Sequence, residues 1–175
     1  MLFRSVESVA SLFVSRWDTG VKDAVSAEYQ NKLGIAIAMR TYKAYRDLLA
    51  SERWKKLAAA GAHPQRLLWA STGTKDPKAP ETLYVEALAA PDTVNTMPEK
   101  TLKAFAKDGH LGKPMPVDGG DAEQTLDEIR RQGVDIDALA ARLQKEGGDS
   151  FVKSWNSLIG GLNEKVTKLT ATSPS

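Results

Sequence analysis

The chain has 175 residues, a formal net charge of +2 and no cysteine. That length can bury one sizeable core, and so small a charge gives no electrostatic ground for binding nucleic acid or an anionic membrane. The missing cysteines exclude disulfides and thiolate metal sites and fit a reducing compartment. No apolar stretch reaches the length of a membrane span, and the opening residues lack the apolar core and cleavage site of a signal peptide.

The first element in chain order is Ser8 to Asp18, a short apolar run that reads as a strand closing on Ser15-Arg16. Trp17 to Ala27 is polar and is either a loop or the start of a helix. From about Glu28 to Leu49, the residues Leu33, Ile37, Met39, Tyr42, Tyr45, Leu48 and Leu49 recur at helical spacing with Lys and Arg between them. That pattern predicts a long amphipathic helix whose Met and Tyr side chains belong to the core. Ser51 to Leu57 predicts a second, shorter helix ending near Gly61.

Arg66 to Ser71 reads as a second strand, and Trp69-Ala70-Ser71-Thr72-Gly73-Thr74-Lys75-Asp76-Pro77 is the most informative stretch of the chain. An apolar strand breaks there into hydroxyl residues, a glycine and a lysine. Hydroxyls donate, glycine admits close backbone approach, and the ammonium supplies charge, so the segment suits an anion. A plain polar turn is the alternative. Pro77 and Pro80 exclude helix and inner strand from the following loop.

Glu81 to Ala89 favours a short helix by its length and alanines. Thr93 to Met97 reads as a third strand, and Pro98 with Glu99 opens a helix that stops at Gly109. Asp121 to Gln132 predicts a polar helix stopped by Gly133. Two further helices follow over Asp135 to Glu146 and Ser150 to Leu169, then a disordered tail or linker over 170–175. His63 and His110 fall in expected loops far apart, which argues against a metal site.

Strand and helix alternate through the first half, which predicts an α/β layout with parallel strands. Two strands ending in Ser15-Arg16 and Ser71 to Lys75 then place hydroxyl and cationic residues at one edge of the sheet. Arg16 is either a surface arginine at a strand end or a phosphate partner, for which its planar fork is suited.

The runs Ser8 to Arg16, Trp69 to Pro77 and Pro91 to Pro98, in this order and spacing, resemble a bacterial transaldolase of the actinobacterial and cyanobacterial type. In some members that enzyme is fused to a sugar-phosphate isomerase. The resemblance runs from about Ser8 to Leu169 and implies a partial TIM (β/α)8 barrel. The chain would supply the last three β/α units, strands six to eight, plus C-terminal helices over 1–169. A full barrel takes about 250 residues, so the resemblance implies that the chain is only part of one, the C-terminal half.

The implied chemistry is transfer of a dihydroxyacetone unit between sugar phosphates in the pentose phosphate pathway, in the cytoplasm, through a lysine Schiff base and without a cofactor or metal. The donors would be fructose 6-phosphate or sedoheptulose 7-phosphate, and the acceptors erythrose 4-phosphate or glyceraldehyde 3-phosphate. The Schiff-base lysine and the proton-handling carboxylates are expected in the N-terminal half, so the chain alone is expected to be inactive. Lys75, between polar Thr74 and Asp76, has no apolar strand around it to make it reactive.

What carries over is the phosphate end. Arg16 and Ser71 match substrate phosphate-binding positions, and Lys75 stands where other branches have an arginine just past the serine. Ser11 and Phe13 match residues lining the pocket, with plain strand packing as the alternative. A half-barrel also leaves an open strand edge and an uncovered inner face. Self-association or pairing with the N-terminal half is therefore expected. The competing reading is a non-catalytic half-barrel that binds sugar phosphate weakly or is inert.

Overall fold

A computed structural model describes residues 6–171. The chain divides into two compact units, 1–134 and 135–175.

The first unit is built on a three-stranded sheet in the order β1-β2-β3, with β1 Val9–Phe13, β2 Arg66–Ala70 and β3 Thr93–Asn95. Both pairings are parallel, and the register sets Ser11 beside Leu68, Phe13 beside Ala70 and Leu68 beside Val94. Parallel neighbours need crossover connections. These are α1 Ser15–Val21, α2 Leu33–Ala50 and α3 Glu52–Ala59 between β1 and β2, and α4 Leu83–Ala87 between β2 and β3. The helices α5 Glu99–Asp108 and α6 Ala122–Arg131 follow. The alternation read from the sequence is therefore present as a parallel α/β arrangement.

The core lies on one face of the sheet. Leu67 and Trp69 of β2 pack with Ala38, Tyr42 and Tyr45 of α2 and with Tyr84 and Leu88 at α4, and Ala10 and Leu12 of β1 join them. Side chains alternate across a strand, so Val9, Ser11 and Phe13 occupy the opposite face, where Val9 is exposed and Phe13 half-buried. The tyrosines expected in the core are there. Leu48 is exposed instead, and Ala36 and Ala38 take the buried stripe of α2. Small residues let that helix approach the sheet closely.

On its other side α2 meets α6. Arg40 of α2 donates from Nε to Glu123 Oε1 at 2.6 Å and makes a second ion-pair contact with the other carboxylate oxygen. That arginine holds the Glu123 carboxyl below the usual carboxylate range. Leu126 and Ile129 are fully buried. Gly133, at φ +90°, ends the helix in a conformation other residues adopt only with strain.

Two expected elements differ. The first strand stops at Phe13, and Ser15-Arg16 open α1 instead of closing the strand. Seven residues are too few to show helical periodicity, so the apolar Val14 and Trp17 read as an extension of the strand. In the second unit, α7 runs unbroken over Ile136–Ala171 where two helices were expected. Its Gly147-Gly148 step is spanned by Lys145 Nζ to Asp149 Oδ2 at 2.6 Å, one turn apart. Thr170 and Ala171 belong to this helix, and 172–175 lie outside the described residues. Among the described residues no helix is long and apolar enough to cross a membrane.

Candidate functional site

The C-terminal ends of β1 and β2 lie side by side because the strands are parallel and in register. Backbone bonds extend the pairing beyond the strands, from Val14 N to Ala70 O at 2.9 Å and from Ser15 N to Ser71 O at 3.1 Å. The two hydroxyls that follow therefore meet, with Ser15 Oγ and Ser71 Oγ 2.7 Å apart in a hydrogen bond. Ser15 is fully buried and Ser71 half-buried.

Ser71 holds φ +55°, in the left-handed region. A non-glycine residue there costs on the order of 1 kcal/mol, so the surrounding contacts must fix it. Its neighbour Thr72 is buried and donates from Oγ1 to Asn95 Oδ1 at 2.8 Å, tying the end of β2 to the end of β3. We expect Ser71→Gly to leave stability nearly unchanged, because strain relief offsets the lost hydroxyl bond. Ser71→Ala keeps the strain, loses the bond, and should fall about 1 kcal/mol below the glycine variant in urea denaturation. Equal stabilities for the two would contradict a strained Ser71.

A cleft of about 180 Å³ opens beside Ser15. Its walls come from α1 (Asp18, Thr19), from the segment between α1 and α2 (Lys22, Gln30, Asn31), from the loop after β2 (Lys75, Asp76) and from Tyr84 of α4. Lys22 and Lys75 are exposed and bring two cations to a lining that also carries the carboxyl groups of Asp18 and Asp76. Asp76 is engaged, accepting from Asn31 Nδ2 at 2.9 Å and from its own loop's Lys78 N at 2.9 Å. Those donors, the Lys78 N–H first, hold its carboxyl below the usual range.

Asp18 forms the floor. Its Oδ2 accepts from Tyr84 Oη at 2.7 Å and its Oδ1 from Gly34 N at 3.1 Å. Burial pushes this carboxyl above its ordinary value, and the three donors, Tyr84 with the Gly34 and Leu33 N–H groups, pull the other way without cancelling it. Burial and the neighbouring carboxylate push the Tyr84 hydroxyl far up, so it stays protonated and donates.

The five residues singled out in the sequence fall into two groups. Ser71, through Ser15, and Lys75 belong to the cleft. Arg16, which directly follows Ser15, holds its guanidinium 4.5 Å from the centroid of the Phe13 ring, a cation–π contact that restrains the fork. Arg16 is not among the residues lining the cleft. Ser11 and Phe13 share the sheet face opposite the core, at register with Leu68 and Ala70.

Sequence reasoning missed Asp18, Asn31 and Tyr84. The one available signal was a carboxylate two residues past Arg16 beside apolar Trp17, which reads as ordinary helix polarity until Tyr84, 66 positions away, is seen to donate to it. His63, one of the two histidines, pairs instead with Glu7 at 3.0 Å. Among the described residues no group of three histidine or carboxylate side chains could hold a metal ion.

A family model described as Transaldolase/Fructose-6-phosphate aldolase matches residues 2–162. The transaldolase of Saccharopolyspora erythraea is 43% identical over 167 residues, covering 92% of this chain and 46% of that relative. The transaldolase of Parafrankia sp. is 46% identical over 169 residues, again 92% and 46%. The transaldolase of Frankia alni is 44% identical over 167 residues, 91% and 45%. The chain thus spans a little under half the length of these relatives.

Proposed function

The chain belongs to the transaldolase/fructose-6-phosphate aldolase family, and from that premise we propose that it forms the phosphate-holding part of a sugar-phosphate site. In this reading β1, β2 and β3 are strands six, seven and eight of a (β/α)8 barrel. The observation that carries it is the Ser15–Ser71 hydroxyl pair at the C-terminal ends of two adjacent parallel strands, with Lys75 on the same cleft. That end of such a barrel is where its sites are built.

The roles follow from the side-chain chemistry. Arg16, restrained over Phe13, offers paired N–H donors to phosphate oxygens. Ser71 offers a hydroxyl, and Lys75 a point charge without the fork of an arginine. Ser11 and Phe13 line the inner face of the barrel beside the three-carbon unit. The reaction is transfer of a dihydroxyacetone unit. A lysine amine condenses with the ketone of fructose 6-phosphate or sedoheptulose 7-phosphate and releases water. A carboxylate of the N-terminal half takes the C4 hydroxyl proton as the C3–C4 bond breaks, its electrons flowing into the iminium to leave an enamine, and the aldose departs. The enamine attacks the aldehyde of erythrose 4-phosphate or glyceraldehyde 3-phosphate, and water frees the product.

That lysine is assigned to the part of the full-length relatives that this chain does not match. Supporting this, the strand sequences VASLF, RLLWA and TVN contain no lysine. The same observation favours the second reading, a chain that by itself binds sugar phosphate without catalysis. The face carrying Val9, Ser11 and Phe13 would pair with the complementary half of a barrel, or with another copy.

The test is calorimetric titration with fructose 6-phosphate, followed by borohydride trapping. We expect weak binding to this chain, reduced about tenfold or more in Arg16→Ala, and no covalent labelling. Adding the N-terminal half of the Saccharopolyspora erythraea transaldolase should give a faster-sedimenting complex and restore transfer. Labelling of this chain alone would refute the assignment of the lysine, and absent binding would refute the phosphate site.

A further inference from the structure

Two segments face each other across the cleft, 15–34 and 71–84, and three side-chain hydrogen bonds join them. Ser15 Oγ meets Ser71 Oγ at 2.7 Å at one end. Tyr84 Oη donates to Asp18 Oδ2 at 2.7 Å at the other. Between them Asn31 Nδ2 donates to Asp76 Oδ2 at 2.9 Å. The loop carrying Lys75 is therefore fastened at its start, its middle and its end.

The middle fastening touches Lys75 most directly, since Asp76 is its neighbour. Two local features prepare it. Asn31 takes φ 62°, a left-handed conformation that asparagine tolerates better than most residues. Asp76 spends its second oxygen on the N–H of Lys78 at 2.9 Å, and its carbonyl accepts from Ala79 N at 3.1 Å. The carboxylate thus closes its own turn and reaches across to Asn31 at once. Without that reach, the stretch from Gly73 to Pro80, in which Lys75, Pro77, Lys78 and Pro80 are exposed, loses its side-chain bond to the facing segment.

We propose that Asn31 and Asp76 are positioning residues that hold the segment carrying Lys75 on the cleft it shares with Ser15. The consequence for anion binding rests on the phosphate-site reading above, whereas the ordering of the loop does not. Fixing in advance the backbone that carries Lys75 removes part of the ordering cost of binding.

Both parts are tested on the full chain by amide hydrogen exchange and by titration with inorganic phosphate. Asn31→Ala and Asp76→Ala should speed exchange at Lys78 and Ala79 about tenfold, the loss of roughly one hydrogen bond, while core amides of β2 stay protected. Asp76→Asn can still accept from Lys78 N and pair with Asn31, and should restore slow exchange. Phosphate affinity should fall several-fold in Asn31→Ala and in Lys75→Ala, yet no further in the double variant, because a residue acting through Lys75 has nothing to add once Lys75 is gone. Unchanged loop exchange in Asn31→Ala overturns the proposal, as does an additive double variant. A loop loosened by Asn31→Ala, together with a wild-type chain that binds no phosphate, supports the clamp and refutes the phosphate site.

Discussion

Gly34→Ala should destabilise the protein by about 3 kcal/mol, although alanine is the better helix former by about 1 kcal/mol. A Cβ at Gly34 would stand 2.6 Å from Val14 O and 2.6 Å from Asp18 Oδ2, with Val14 Cγ1 at 3.0 Å. Neither oxygen can step aside cheaply. Val14 is the residue that follows β1 and bonds through its N–H to Ala70 O. Asp18 is buried and holds Tyr84. The first turn of α2 approaches α1 this closely only because position 34 has no side chain. Gly148→Ala makes the contrast, since a Cβ there meets nothing within 4 Å in the middle of α7. It should raise local helix stability by about 1 kcal/mol. Urea denaturation measures the first. Amide exchange along α7 measures the second. A Gly34→Ala variant as stable as wild type would mean that the α1–α2 contact is not close-packed.

Asp18→Ala should cost about 3 kcal/mol as well. It leaves the Tyr84 hydroxyl and the N–H groups of Gly34 and Leu33 buried without an acceptor, and it empties the space of a carboxylate. Asp18→Asn separates charge from packing. The folded-state value of Asp18 lies above its ordinary 3.8, so the native state binds that proton more tightly than the unfolded chain does. Its contribution to stability is therefore greatest at low pH and is lost as pH rises from about 4 through the folded value. Asp76 and Glu123 act in the opposite sense, with folded values below the ordinary ones and a contribution lost as pH falls. The stability difference between wild type and Asp18→Asn cancels those shared slopes. We expect that difference to shift against wild type as pH rises from about 4, and to level off once Asp18 is ionised in both states. Parallel stability curves from pH 4 to 8 would show that burial does not govern this carboxyl. The Tyr84 hydroxyl takes no part, because it is protonated throughout that range.

Both predictions concern residues that sequence reading passed over, and the reason is physical. Asp18, Gly34 and Tyr84 look ordinary in isolation: a carboxylate in a polar stretch, a glycine early in a helix, a tyrosine in a short amphipathic one. Their importance lies in distances between segments 16 and 66 positions apart, which no local pattern encodes. The same holds for the different surroundings of Arg16 and Lys75. In the sequence both follow an apolar strand and look equivalent. In the structure one stacks on Phe13 and the other joins the Ser15 cleft.

By itself the sequence determined the order of β and α elements, the parallel sheet, the long apolar face of α2 and the hydroxyl-rich end of β2, because these follow from periodicity, chain direction and turn chemistry. Three motifs in the right order also pointed to the family, which the match over residues 2–162 bears out. Only the tertiary structure decided where β1 gives way to helix and that the Gly147-Gly148 step stays helical. It also decided which hydroxyl faces Ser71, and that a buried carboxylate and an asparagine fasten the Lys75 loop. A seven-residue helix carries too little pattern to announce itself. A contact between distant side chains exists only once the sheet register has brought their strands' ends together.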